Sequence, residues 1–347
     1  MRIIHHIKPK ALCKGDTIGI FAPSFPAHVL WREKYLYGLS YLKSQGFQIL
    51  EGTLTCKGTS EGYRTGSPQE RACEFMEFIE NKNVTAIIAT IGGYNSSSLI
   101  PYLDFKMIRN NPKIICGLSD LTALHCAILK YSGVVTYYGP NLMNLIDYPA
   151  PNSYTIESFF NSLMDNSSFN KKVFPPDKWS NHLLDASTDE WKKVQRNYKN
   201  NKGWKVLRQG KVTAPILCMN LNTLVSAAGT SFFPDVEDRI LLLEEMDAPL
   251  DRTERSFRHL ELMGVFDKIR GLVFGKIEFP DMSAGDNSFA YEKIILEVIG
   301  NRKFPIIIDF DCAHTMPMLT IAQETVVTFE AKNDYSVDFW IEESMVS

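Results

Sequence analysis

Short apolar runs alternate with amphipathic stretches through the first 150 or so residues of this chain. Thr17–Ala22 reads as a strand, Ala27–Gln45 as a helix closed by Gly46, and Phe47–Leu50 as a second strand. Ser67-Pro68-Gln69-Glu70 then opens another helix. Serine at the N-cap, proline in the first helical position and glutamate three residues after the cap form a capping box, and this helix runs to about Asn81. Thr85–Ile91 is nearly continuously apolar, as in a parallel-sheet strand covered on both faces. The strand Lys113–Cys116, the helix Leu121–Tyr131 and the strand Val134–Tyr138 continue the alternation. Such an order predicts an α/β fold with an N-terminal, doubly wound, flavodoxin-like parallel sheet.

The pattern changes after residue 150. Residues 151–205 are rich in Asn, Ser, Lys and Asp, contain Pro175-Pro176, and hold Trp179, Trp191 and Trp204, three of the five tryptophans. They read as a linker and irregular flap. Strands then dominate: Arg239–Glu244, Gly271–Ile277, Pro305–Phe310, Thr325–Phe329 and Ser336–Trp340, with helices near Asp251–Met263 and Tyr291–Ile299. This predicts a C-terminal, barrel-like α/β domain. The expected division is residues 1–165, a linker or flap over 166–205, and 206–347, in keeping with a 347-residue chain too long for one ordinary core.

Composition narrows the classes. Hydrophobic residues make up 45% and charged residues 22%, as in ordinary globular proteins. A net charge of −3 offers no basic field for nucleic acid. No apolar run approaches the roughly 18 residues of a membrane span, and the start lacks the apolar core of a secretory signal. The seven cysteines have no paired spacing, and Cys73, Cys116, Cys126 and Cys312 lie in apolar runs; they read as reduced, buried thiols of a cytoplasmic protein. No metal-binding spacing is present, so a metal is not expected.

Ligands of doubly wound sheets sit beyond the carboxyl ends of the strands, and two segments fall there. Gly92-Gly93 follows the strand Thr85–Ile91 and permits positive φ and close backbone approach. Gly117-Leu118-Ser119-Asp120 passes from strand to helix. Ser119 there is either an N-cap or an exposed hydroxyl at a nucleophile elbow whose final glycine is missing. A serine nucleophile needs a base, and the base needs an orienting acid. Of the seven histidines, His125 is expected to point away from the turn, packed or capping, whereas His5, His6, His28, His182 and His259 are undistinguished. His314 stands where a loop leaves the strand Pro305–Phe310, and is either structural or the base. Glu244 and Glu245 end an apolar strand, and only one of them can face a site there.

Taken together, these segments resemble the LD-carboxypeptidase family of serine peptidases, which includes murein tetrapeptide carboxypeptidases and microcin C immunity peptidases. The resemblance rests on Lys14-Gly15-Asp16-Thr17-Ile18-Gly19 with Ala22-Pro23-Ser24, Gly62-Tyr63-Arg64-Thr65-Gly66, Thr90-Ile91-Gly92-Gly93, the run Gly117 to His125, Leu243-Glu244-Glu245, and His314 with Pro317. It implies a Ser–His–Glu triad without metal or cofactor, commonly within a homodimer. Ser119 would be nucleophile, His314 base and Glu244 acid, with the N–H groups of Gly93 and Asp120 as oxyanion hole. Two departures from the family are Cys218-Met219-Asn220 in place of Gly-Gly-Asn, and Leu118 in place of a tyrosine. The wording around Gly92-Gly93 and the loop bearing Trp191 and Trp204 resemble the microcin-immunity branch. The implied substrate is therefore an aminoacyl-nucleotide, with murein tetrapeptides as the alternative and a non-catalytic nucleotide-binding module as the reading from another class. Trp191, Trp204 and Asn220 are the expected substrate contacts, and Arg64 and Arg252 the candidates for holding a substrate carboxylate.

Overall fold

The computed structural model describes residues 6–165, 170–280 and 287–347; His5 lies outside them. Five short strands, Thr17–Phe21, Gln48–Glu51, Val84–Ala89, Ile114–Gly117 and Tyr137–Tyr138, form a parallel sheet. Numbered along the chain, their spatial order is 2-1-3-4-5, the flavodoxin-like arrangement. The order reverses between Thr17–Phe21 and Val84–Ala89, so the loops after these strands flank a crevice at their carboxyl ends. A sixth strand, Ile321–Ala322, arrives from the C-terminal half and pairs antiparallel with Tyr137–Tyr138.

The helices follow the sequence signals closely. Ser67 caps Pro68–Glu80 with both capping-box bonds formed. The expected helix Ala27–Gln45 is instead two helices, Ala27–Leu30 and Arg32–Ser44, because Trp31 leaves helical geometry at φ −119° and ψ 45°. Residues 151–165 are not irregular. Asn152 caps a helix, Ser153–Met164, whose Ile156, Phe159, Phe160 and Leu163 fall on one face at spacings of three and four.

The second sheet has eight strands in the order Lys171–Val173, Ser336–Ile341, Val326–Asn333, Gly210–Asn220, Ile240–Glu244, Gly271–Gly275, Ile306–Phe310 and Lys205–Arg208. It curls like a barrel, bringing its last strand to the far side, where the Val206 N–H donates to Asp334 O at 2.6 Å. Gly210–Asn220 is central to this sheet, yet the sequence did not announce it. Pro215 breaks the strand pattern, but it sits where pairing changes sides. Residues 210–215 pair antiparallel with 326–331, and 216–220 pair parallel with 240–244, so the missing N–H falls at the changeover. The four parallel strands from Gly210 to Phe310 aim their carboxyl ends, carrying Asn220, Glu244 and the segment after Phe310, towards the first sheet.

All seven cysteines are free. Cys116, Cys126, Cys218 and Cys312 are buried as expected, but Cys73 is exposed, on the outer side of its helix. Among the described residues no helix is long and apolar enough to cross a membrane, and no group of His, Cys, Asp or Glu is arranged to hold a metal.

Candidate active site

From Lys113 to Leu129 every residue is buried except Ser119, which is partly open to solvent. Its φ is +67°, a conformation that β-carbon crowding disfavours. Strain of this kind persists only where surroundings enforce it. Here Leu118 N–H donates to Asn141 Oδ1 at 3.2 Å and Ser119 N–H to the Tyr138 hydroxyl at 3.2 Å. His125 corrects the expectation made of it, because its ring reaches back to the turn. Nε2 lies 3.0 Å from Gly117 O, and Nδ1 lies 2.8 Å from the Thr136 hydroxyl. Burial lowers its pKa to about 4, so the neutral ring donates to Gly117 and accepts from Thr136. His125 is a brace for the elbow.

The glycine turn lies against that elbow. A β-carbon at Gly92 would fall 3.0 Å from Ser119 Cβ and 3.3 Å from Asp120 N, so only glycine lets the two turns approach this closely. Gly93 has φ +147°, and a side chain there would strike Ser24. The Asp120 carboxylate fastens the turns together, accepting the N–H groups of Asn95 (3.0 Å) and Ser96 (2.9 Å), while Ser96 Oγ donates to Asp120 O (2.6 Å). The amides of Gly93 and Asp120 have no acceptor among the described residues. Fully buried Arg71 gathers the same loops from behind, donating to the carbonyls of Pro23, Gly66 and Asn95 and to Ser98 Oγ.

From the other sheet come Glu244 and His314. Glu244 is fully buried at the end of Ile240–Glu244, and its Oε2 lies 2.6 Å from His314 Nδ1. Gly275 makes room for this contact, since a β-carbon there would fall 2.7 Å from Glu244 Cβ and 2.9 Å from Ala313 Cβ. The loop carrying His314 is anchored by buried Asp311, which accepts from Lys276 Nζ (2.7 Å) and Trp204 Nε1 (2.8 Å). Burial alone would favour neutral His314; the carboxylates of Glu244, Glu278 and Glu245 reverse this and raise it to about 9. Burial likewise opposes charge on Glu244. His314, together with hydrogen bonds from Tyr138 and Asn220, more than offsets that and lowers its pKa.

Tyr138 joins the two halves. Its hydroxyl accepts from the Ser119 amide and donates to Glu244 Oε1 at 2.5 Å, so one buried phenol links the strained turn to the carboxylate that holds His314. Nothing in the sequence singles out this residue, because a tyrosine in an apolar strand reads as core. Hydrogen bonds to charged groups contribute about 1.5–3 kcal/mol. Tyr138→Phe is therefore expected to lower kcat by roughly one to two powers of ten, with KM little changed. A steady-state comparison showing wild-type kcat would remove Tyr138 from the site.

The other expected contacts fall out differently. Asn220 does not face open space. Its Nδ2 donates to Glu244 Oε1 (3.1 Å) and Glu245 Oε1 (3.2 Å), and its Oδ1 caps the following helix at Thr223. Trp204 is 1% exposed, packed on Phe310 and Phe339, and has no free ring face for a substrate. Trp191 is 4% exposed and stands in an aromatic cluster with Tyr37 (5.7 Å) and the half-open Tyr148 (6.1 Å). Arg64 pairs with Glu61, and Arg252 with Asp247, each at 2.8 Å on the surface.

Comparison with known proteins gives a consistent relationship. Residues 18–139 match the model of the LD-carboxypeptidase N-terminal domain and residues 213–329 that of the LD-carboxypeptidase C-terminal domain. The chain is 37% identical over 333 residues to the microcin C7 self-immunity protein MccF of Escherichia coli, covering 95% of each. It is 38% identical to a putative carboxypeptidase of Vibrio cholerae, over 89% of this chain and 91% of the other. A probable murein peptide carboxypeptidase of Bacillus subtilis is 26% identical over 90% of this chain and 88% of its own. Among solved structures, MccF with a tryptophan-to-phenylalanine change, in complex with adenosine monophosphate, superposes with a TM-score of 0.91 at 34% identity, covering 98% of this chain and all of that one. MccF bound to aspartyl sulfamoyl adenosine superposes with a TM-score of 0.90.

Proposed function

The chain belongs to the LD-carboxypeptidase family of serine-type amide hydrolases, and from that premise we propose that it cleaves the amide joining an amino acid to a nucleotide-like group, using Ser119, His314 and Glu244. The observation that carries this reading is the unbroken path Ser119 N–H, Tyr138 hydroxyl, Glu244, His314 Nδ1, beside two amides that have no acceptor among the described residues.

In the proposed reaction His314 Nε2 takes the Ser119 hydroxyl proton as Oγ attacks the scissile carbonyl carbon. The N–H groups of Gly93 and Asp120 receive the oxyanion; one such donor contributes about 2.7–4 kcal/mol to the barrier reduction. The tetrahedral centre collapses as the C–N bond breaks, and imidazolium gives its proton to the departing nitrogen. Water, deprotonated by the same ring, then releases the acyl group and restores the serine. Glu244 stays ionised throughout, fixing the tautomer and balancing the imidazolium charge.

The substrate reading is supported by the relatives. The MccF structures hold aspartyl sulfamoyl adenosine and glutamyl sulfamoyl guanosine. The aromatic cluster of Tyr37, Tyr148 and Trp191 suits a nucleobase, and stacking contributes about 1–3 kcal/mol per base. The test is incubation with an aspartyl-nucleotide amide and, separately, a murein tetrapeptide. Release of aspartate from the first with little D-alanine from the second is expected; the opposite preference would assign the chain to wall-peptide recycling. Trp191→Ala should weaken nucleotide binding by that amount and leave the residual tetrapeptide turnover unchanged. Equal losses on both substrates would count against stacking. Trp204→Ala, in the core, should instead cost about 3–5 kcal/mol of stability, read as a lower denaturation midpoint.

A further inference from the structure

One buried lysine joins the flap to the loop that carries His314. The strands Lys178–Trp179 and Lys199–Asn200 pair antiparallel, and Trp191 lies on the excursion between them. The outer part of this excursion rests on the N-terminal half of the chain, where Lys192 pairs with Glu33 and Arg196 with Asp147. Its base rests on the His314 loop. Ser180 N–H donates to Met316 O at 2.7 Å, and Met316 N–H returns a bond of 2.9 Å to Ser180 O. Half-buried Trp179 has two ammonium groups over its ring, with Lys199 Nζ 4.0 Å and Lys276 Nζ 5.5 Å from the centroid.

Lys276 belongs to both sides of this contact. It follows Gly275, is buried, and donates from Nζ to Asp311 Oδ1 at 2.7 Å and to Asp309 O. Asp311 opens the loop that carries His314, and Leu319 N–H closes that loop on Asp311 O at 2.7 Å. Asp309 has φ +61°, so the chain turns out of the strand Ile306–Phe310 through a left-handed bend. Such a bend persists where its surroundings hold it, and Lys276 holds this one twice. Its side chain takes the Asp309 carbonyl, and its N–H donates to Phe310 O at 3.0 Å. The imidazole itself has a single side-chain partner among the described residues, Glu244. Its placement therefore depends on that carboxylate and on the corner from which its loop departs.

Resting on the hydrolase reading above, we propose that Lys276 and Trp179 are positioning residues for the base: Trp179 seated on the lysine ammonium steadies the Asp309–Asp311 corner, and that corner sets His314. Neither side chain touches the reacting atoms. The flap then serves the chemistry as well as the nucleobase, because unseating its base loosens the loop that carries the imidazole.

A small serine-directed phosphonate reads the base through its rate of attachment to Ser119. Lys276→Met combined with Asp311→Asn removes the ion pair without leaving one charge buried alone. Measured well below its melting midpoint, this folded variant should be labelled at least tenfold more slowly than wild type. A merely structural pair would lower the midpoint and leave the labelling rate unchanged, and that result would overturn the proposal. Trp179→Ala tests the flap side, and keeps the test decisive should the paired variant not fold. Its labelling should also slow about tenfold, and Trp179→Phe, which keeps a ring against Lys276, should restore the rate to within about threefold. Full-rate labelling of Trp179→Ala would remove the flap from the placement of the base. Amide exchange supplies a readout free of activity. Leu319 N–H bonds to Asp311 O and to no flap atom, so its exchange should quicken at least tenfold in Trp179→Ala, and unchanged exchange would refute the coupling. Wild-type protein that takes no label, while Leu319 responds in this way, would leave the coupling standing and refute the hydrolase reading beneath it.

Discussion

Ser119→Ala is expected to bind an aminoacyl-nucleotide analogue within a fewfold of wild type yet turn substrate over about a millionfold more slowly. The reasoning is geometric. Ser119 alone is partly open in an otherwise buried stretch, and its strained φ is enforced by Tyr138, Asn141 and His125 around the turn. None of those supports involves Oγ, so alanine removes the proposed nucleophile and little else. Residual activity should come only from substrate positioning and the amides of Gly93 and Asp120. Single-turnover rates and equilibrium binding, measured on the same preparation, separate the two effects. A variant retaining a tenth of wild-type turnover would show that another group attacks.

The second large effect belongs to Glu244. Glu244→Gln should lower kcat by about ten-thousandfold, since an amide keeps the shape but neither fixes the required tautomer nor balances an imidazolium. It should also move the pH profile in a defined direction. In the free enzyme His314 is held at about 9, against burial, chiefly by the charge of Glu244, so kcat/KM should rise with pH towards that value as the ring becomes a neutral base. Without that charge burial dominates, and the limb should fall well below 9. Stability follows the same linkage. The folded pKa of His314 exceeds its ordinary value of 6.5, so the pairing contributes fully below pH 6.5 and is lost as pH rises through about 9. Glu244 is shifted the other way. Its contribution is present above the ordinary carboxylate range and is lost as pH falls through its depressed folded value. An acid limb still near 9 in Glu244→Gln would mean that Glu278 or Glu245, not Glu244, controls the base.

Much of this was legible in the sequence because the signals are local. A capping box, an apolar strand ending in glycines and a serine at a strand-to-helix turn each fix backbone geometry within a few residues, and Ser67, Gly92, Gly93 and Ser119 lie where such rules place them. The residues that were missed act across long separations. Tyr138 meets Glu244 at a separation of 106 residues, and Arg71 meets Pro23 at 48. Asn220 was visible as a candidate, but its amide serves the acid strand beside it, which only the pairing of 216–220 with 240–244 reveals. Trp204 misled because tryptophan in a polar, irregular stretch looks exposed. Here that stretch ends in a strand of the second sheet, and the indole is buried with its N–H on Asp311. His125 misled through counting. Six residues along a helix put it on a different face from Ser119, but the imidazole reaches the carbonyl two residues before it.

Treatment with a serine-directed phosphonate, followed by peptide mass mapping, asks the central question most directly. A single adduct on residue 119, abolished when residue 314 is alanine, is the outcome required if a hydroxyl on one sheet is activated by an imidazole on the other. An unmodified protein, or a label that persists at full rate without the imidazole, would contradict it.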